Sequence, residues 1–283
     1  MRTEDLLKFM LAREEARAGH HVNARKPWTY DKIIQRYRFC NVRREDDKVT
    51  KWIKQHWRDP YGDDPNVWFL MVVARLVNWP ETLGELTFSL ARKGKVQWDR
   101  AGFLSIMHKR KADGLKVFSG AYIVSTNGRT MDKAEYLAAF VLDPLWAARK
   151  EFAKPFPTLA QLFHALRNFN GMGSFMAAQV VADVKFTPPY TQAVDWWDFA
   201  APGPGSQRGL NRVYDRPVGQ GWPGDTWHAA LAALHEALNK RLTKTKIGGL
   251  PAQDIQNCLC EFDKYERVRL GEGKPRSSYP GVK

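Results

Sequence analysis

Residues 169–178, Phe-Asn-Gly-Met-Gly-Ser-Phe-Met-Ala-Ala, carry the strongest chemical signal in this chain, together with Asp195 22 residues after Gly173. Gly171 and Gly173 can take backbone angles closed to other residues and let another backbone approach. Helices are expected on both sides. Thr158 can cap the first, with Gln161 at capping-box spacing, and Leu159, Leu162, Phe163, Leu166 and Phe169 make one apolar face. The second starts at Ser174, with Met176, Val180, Val181 and Val184 toward a core. Free N–H groups at its start suit an anion such as a DNA phosphate. The same residues would also serve as an ordinary helical hairpin punctuated by glycine.

Asp195 lies in Val194-Asp195-Trp196-Trp197. The tryptophans would lower the polarity around its carboxylate, which suits a general base. An Asp at such a place can equally cap a helix, and Asp198 competes for the role. Three further groups could do chemistry. The segment 202–212 reads as a shaped Gly/Pro loop in which Arg208 and Arg212, beside Asn211, could clamp phosphate or pyrophosphate. On a helix over 252–270, Gln253, Asn257, Glu261, Lys264 and Tyr265 form one polar stripe, either a solvated face or a pocket wall. Asn41, Arg43, Arg44, Asp46 and Asp47 form a charged turn, either a surface cluster or a cleft rim.

These groups need a scaffold, and the rest of the chain predicts a mainly helical one. Helices are expected from Leu6 to Leu11, in pieces over 28–57, over 64–77, 81–92, 99–113 and 133–150, and from Thr226 to Leu242. The 64–77 segment is apolar on nearly all sides, which makes Arg75 and Asn78 conspicuous. Residues 118–125 could be a strand or a pocket wall, and the tail from Gly271 reads as extended. Lys154-Pro155-Phe156-Pro157 is the clearest break, which predicts an N-terminal helical lobe over 1–153 and a hairpin-bearing lobe over 154–283.

Composition narrows the partners. The 283 residues hold 44 Lys+Arg against 30 Asp+Glu, a formal net charge of +14, interleaved with eleven Trp, nine Tyr and fifteen Phe. Excess cations with aromatics fit a polyanion such as nucleic acid. Three cysteines without C-x-x-C spacing argue against a disulfide framework and exclude a four-cysteine cluster within one chain. The adjacent His20 and His21 read as surface, and no residues are assigned to a metal. Neither a Walker loop nor a dinucleotide fingerprint is present. No apolar run approaches membrane-spanning length and Met1–Asp5 does not begin a signal peptide, so a soluble intracellular protein is expected.

The hairpin with Asp195 resembles the helix-hairpin-helix superfamily of DNA glycosylases. The chain more specifically resembles the α-glutamyl/putrescinyl thymine pyrophosphorylase family of bacteriophages, amino-acid:DNA transferases, whose helical module also occurs beside the kinase acting on 5-hydroxymethyluracil in phage DNA. The residues carrying this are Arg38-Phe39-Cys40-Asn41-Val42-Arg43-Arg44-Glu45-Asp46, Asp64-Pro65-Asn66-Val67-Trp68-Phe69, Phe118-Ser119-Gly120-Ala121-Tyr122, Gly171-Met172-Gly173-Ser174-Phe175, Ala201-Pro202-Gly203-Pro204-Gly205-Ser206 and Asn257-Cys258-Leu259-Cys260-Glu261-Phe262-Asp263-Lys264-Tyr265.

The resemblance implies a two-lobed, helix-hairpin-helix glycosylase-like fold. It implies an enzyme that displaces pyrophosphate from the C5-methylene of pyrophosphorylated 5-hydroxymethyluracil in double-stranded DNA, using a free amino acid or polyamine. A separate 5-hydroxymethyluracil DNA kinase would act upstream, in the cytoplasm of an infected bacterial host. Trp196 and Trp197 would face the extruded base. Asp195 would take the amine proton, with Glu261 in reserve. Arg208, Arg212, Lys264 and Arg44, with Asn41 and Asn211, would hold the pyrophosphate, which a divalent metal could accompany. Gly171, Gly173 and Ser174 would grip the DNA backbone. Two other readings stay open: a glycosylase removing a modified pyrimidine, and an inert DNA-binding partner of a modification complex.

Overall fold

The apolar periodicities become helices, as a computed structural model describes for residues 1–22, 25, 27–92, 94–122, 124–275 and 277–279. In chain order they are α1 (Thr3–His21), α2 (Lys32–Arg36), α3 (Lys48–Ile53), α4 (Val67–Val77), α5 (Pro80–Leu90), α6 (Arg100–Ala112), α7 (Lys133–Leu137), α8 (Asp143–Ala147), α9 (Leu159–Arg167), α10 (Ser174–Val184), α11 (Pro204–Val213), α12 (Thr226–Leu242) and α13 (Ala252–Arg269). One π-helical turn, Lys54–Arg58, extends α3, and another, Ala138–Leu142, joins α7 to α8. Among the described residues the sheet consists of two short antiparallel strands, β1 (Ala91–Arg92) and β2 (Lys95–Val96). The fold is mainly α, and the described part of 118–125 forms no strand.

Contacts divide the chain into two compact units, Lys48–Trp196 and Met1–Asp47 with Trp197–Lys283. This differs from the expected boundary between 153 and 154. The prolines at 155 and 157 interrupt the helix but not the packing around it. Phe152 stacks on Trp68 at 4.2 Å, meets Phe156 at 5.5 Å and Phe169 at 6.0 Å, and the Phe156 N–H donates to the Tyr190 hydroxyl at 3.2 Å. One aromatic core therefore continues through the break. The N-terminal segment belongs with the C-terminal one because Leu6, Met10 and Phe39 share a buried cluster with Leu234, Leu238 and Phe262.

In the Lys48–Trp196 unit, every residue of α4 is buried. That explains the two polar residues that stood out in it. The Arg75 guanidinium donates to both Asp183 oxygens, one at 2.6 Å, to Thr50 Oγ1 at 3.0 Å and to Asn78 Oδ1 at 3.2 Å. Asp183 is on α10, so this buried fork ties α4 to the second helix of the hairpin. Asn78 ends α4 in the left-handed region at φ 50°, a conformation Asn tolerates.

The hairpin forms between the expected residues. Thr158 Oγ1 accepts from the Gln161 N–H at 3.0 Å, α9 ends at Arg167, and α10 starts at Ser174. Gly171 has φ +76°, and a Cβ there would press into the Val141 side chain, so both angle and space call for glycine. Gly173 has ordinary extended angles, φ −62° and ψ 171°, and a Cβ would enter open space. The fold itself does not need a glycine at that position.

In the other unit the expected loop over 202–212 is mostly α11. Gly203 and Pro204 open that helix, and the Ser206 hydroxyl accepts from the Gly203 N–H at 3.0 Å. Gly205 and Gly209, four apart, then lie on the face toward α13. A Cβ on Gly209 would overlap the Leu259 carbonyl, and one on Gly205 would overlap Cys260 Sγ. The glycines serve close helix crossing rather than an open loop.

Candidate functional site

The α11–α13 crossing aligns Arg208 and Arg212, also four apart, against Asp263. Asp263 is completely buried. Its Oδ2 accepts from Arg208 Nε at 2.9 Å and its Oδ1 from Arg212 Nε at 2.9 Å, while Arg267 Nε stands 3.6 Å from Oδ2. Arg212 is additionally paired with Glu272 and buried. Arg208 keeps 39% of its side chain exposed. One buried carboxylate thus orders a cluster of guanidiniums with a surplus of positive charge, in which Arg208 and Arg267 also reach solvent.

Two residues before Asp263 on α13, and so on a different face of that helix, Glu261 is buried and doubly engaged. Its Oε1 accepts from Lys264 Nζ at 2.5 Å and its Oε2 from the Cys40 N–H at 3.1 Å. The 39–44 segment is pinned beside it. Arg13 Nε donates to the Phe39 and Cys40 carbonyls at 3.0 Å each, its other arm reaches Asn41 Oδ1 at 2.6 Å, and the Arg44 N–H donates to Asp254 Oδ1 at 3.1 Å. Asn41, Arg44, Arg208, Asn211, Arg212, Glu261 and Lys264 therefore all belong to one unit, on the 39–44 segment, α11 and α13.

Burial works against the Lys264 ammonium, but the adjoining Glu261 carboxylate outweighs it and holds the pKa above the ordinary lysine value. Cys40 keeps exposed surface as a residue. Its thiol nevertheless loses enough solvation, with Glu261 alongside, to be pushed up to about 12. Burial likewise raises Cys260. These thiols stay protonated near neutrality, so they are poor nucleophiles there. Lys264 and Arg208 are cations that keep part of their side chains exposed, while Glu261 beside Lys264 is buried.

The remaining expected residues sit elsewhere. Asn211 is buried, and its Nδ2 donates to the Val218 and Gln220 carbonyls at 3.0 and 2.8 Å, holding the turn after α11. Asp195 belongs to the other unit. Its Oδ1 accepts from the Leu159 N–H at 2.8 Å and its Oδ2 from the Ala160 N–H at 3.0 Å. It caps α9, the first helix of the hairpin, rather than standing as a free base between tryptophans. Trp196 is tied to Lys185: its Nε1 donates to the Lys185 carbonyl at 2.8 Å, and Lys185 Nζ donates to the Trp196 carbonyl at 2.7 Å, 4.0 Å from the ring centre. Trp197 falls in the unit that holds the charged cluster, packed on His235 at 5.6 Å, with its carbonyl accepting from the Ala252 N–H at 2.8 Å.

Asp263 and Arg13, which organise the cluster, were not singled out from sequence. The four-residue spacing shared by Gly205/Gly209 and Arg208/Arg212 was the available signal, because it marks one helix with adjacent glycine and arginine faces. Among the described residues no group of three His, Cys, Asp or Glu side chains is placed to hold a metal ion, and no helix is long and apolar enough to cross a membrane.

Comparison with known proteins places this architecture. The family model for the helical domain of 5-hmdU DNA kinase matches residues 2–275. A 5-hmdU DNA kinase of Bacillus phage SP10 is 25% identical over 208 residues, 67% of this chain and 32% of that protein. The chain thus matches about a third of that relative's length. No solved structure matches. With the match running over nearly the entire described scaffold, including the hairpin and the α11–α13 cluster, the chain belongs to the 5-hmdU DNA kinase helical-domain family.

Proposed function

We propose that this protein takes part in 5-hydroxymethyluracil DNA modification, as an amine transferase acting on the pyrophosphorylated base. The observation that carries the reading is that α11, α13 and the 39–44 segment hold two partly exposed cations on buried carboxylates, Lys264 on Glu261 and Arg208 on Asp263. The family match supplies the DNA and the base. In the reaction, the nitrogen of a free amino acid or polyamine attacks the C5-methylene. The new C–N bond forms as the C–O bond to pyrophosphate breaks, and pyrophosphate leaves with the bonding pair. Lys264 and Arg208 hold that growing negative charge. The ammonium form of the amine first gives one proton to Glu261, which frees the lone pair that attacks.

Asp195 supports this scheme by capping α9 and so positioning the hairpin, which serves as the helix-hairpin-helix grip on the DNA backbone. The substrate would come from a kinase acting upstream on phage DNA in the infected bacterium.

The test is to incubate the protein with DNA carrying pyrophosphorylated 5-hydroxymethyluracil and a pool of amino acids and polyamines, then digest to nucleosides and weigh them. A new amine-bearing nucleoside is expected, falling by about a hundredfold or more in rate for Glu261→Gln. Unchanged nucleosides would remove the transferase reading, and free base with abasic sites would replace it with base excision.

A further inference from the structure

We propose that the head of the α9–α10 hairpin is a DNA wedge in which Phe175 enters the base stack. The inference rests on the reading that this chain acts on DNA, and not on the amine-transfer step.

Phe175 is the second residue of α10, and it is 56% exposed although the helix behind it is buried at Met176, Ala177 and Val180. It is not left loose. Tyr122 meets it edge-on, 5.1 Å between ring centres, and the Tyr122 hydroxyl donates to Gln179 Oε1 at 2.8 Å, one turn further along α10. Phe175 is therefore braced on one side and open on the other.

The surroundings suit a duplex. Asn127 Nδ2 donates to Asn170 Oδ1 at 3.1 Å and to the Tyr136 hydroxyl at 2.9 Å, which fastens the turn around 127 to the hairpin turn. Asn127 holds a left-handed conformation, φ 52°, and Arg129 after it lies over the Phe140 ring at 4.2 Å. Neither 115–131 nor 168–182 contains an Asp or Glu. Gly173 leaves open space where a Cβ would be, immediately before the first N–H groups of α10. A phosphate can approach those groups, with Arg129 as the cation, while the Phe175 ring faces the bases. Apolar side chains of this kind unstack a base step and hold the gap that an extruded base leaves.

The decisive experiment uses a duplex with 5-hydroxymethyluracil opposite 2-aminopurine, whose fluorescence rises when it is unstacked. Wild-type protein is expected to bind and raise the signal. Phe175→Ala should lose most of the rise and bind about tenfold more weakly. Phe175→Trp should restore both, and Arg129→Ala should weaken binding while keeping the rise at saturation. Circular dichroism checks that each variant retains its helices. Wild-type binding without a rise, or a full rise with Phe175→Ala, overturns the wedge and leaves the DNA reading intact. No binding of wild-type protein at low salt overturns both.

Discussion

At the residue scale, buried carboxylates decide how this protein is arranged. Asp183 and Asp263 are each completely buried, and each is answered by arginine. Desolvating such an ion is costly, so removing one partner is worse than never having had the pair. Asp183→Ala should cost about 3–5 kcal/mol, measured by urea unfolding, because it strands the Arg75 guanidinium inside α4. Glu266 offers a pH test. Burial alone would raise its pKa, but hydrogen bonds from Arg269 and Arg2 outweigh that and leave it below its ordinary value of 4.5. The folded value lies under the unfolded one, so the contribution is complete above 4.5 and is lost as pH falls through the folded pKa. Glu266→Gln should therefore be less stable than wild type at neutral pH, with the difference closing during acid titration followed by circular dichroism. The side-chain identities were legible in sequence, and Arg75 was conspicuous there. Its partner lies 108 residues away, and no local pattern encodes that pairing.

At the element scale, the α11–α13 crossing is the feature that creates the charged cluster. Gly209 packs its bare Cα against the Leu259 backbone, and the backbone cannot withdraw as a flexible side chain could. Gly209→Ala should destabilise by about 1–3 kcal/mol and also disturb the Arg208–Asp263 pairing, seen as a lowered melting temperature. The reading of 202–212 as a loop failed because glycine and proline are locally helix-breaking. Here proline occupies a permitted first-turn position, and the energy of packing on α13 outweighs the propensity of Gly205 and Gly209. The hairpin boundaries, by contrast, were legible. The Thr158–Gln161 cap and the turn at Gly171 are each local, so the sequence window contains the cause.

At the scale of the whole molecule, a net charge of +14 with a family match to the helical domain of 5-hmdU DNA kinase makes salt dependence the first property to measure. If the protein makes about six phosphate contacts, DNA affinity should fall about a thousandfold between 50 and 200 mM salt, with a linear log–log slope. A flat dependence in a filter-binding titration would contradict an electrostatic DNA surface. The amino-acid sequence by itself determined the helical class, most helix positions, the hairpin and the cationic excess, because each depends on composition or on periodicity within a few turns. Tertiary structure alone decided that residues 1–47 pack with 197–283, that Asp195 caps α9, and that Asp263 and Glu261 gather Arg208, Arg212, Lys264 and Cys40. Those outcomes depend on which distant groups meet when apolar faces are buried, and the cost of burying an unpaired charge then selects the partners.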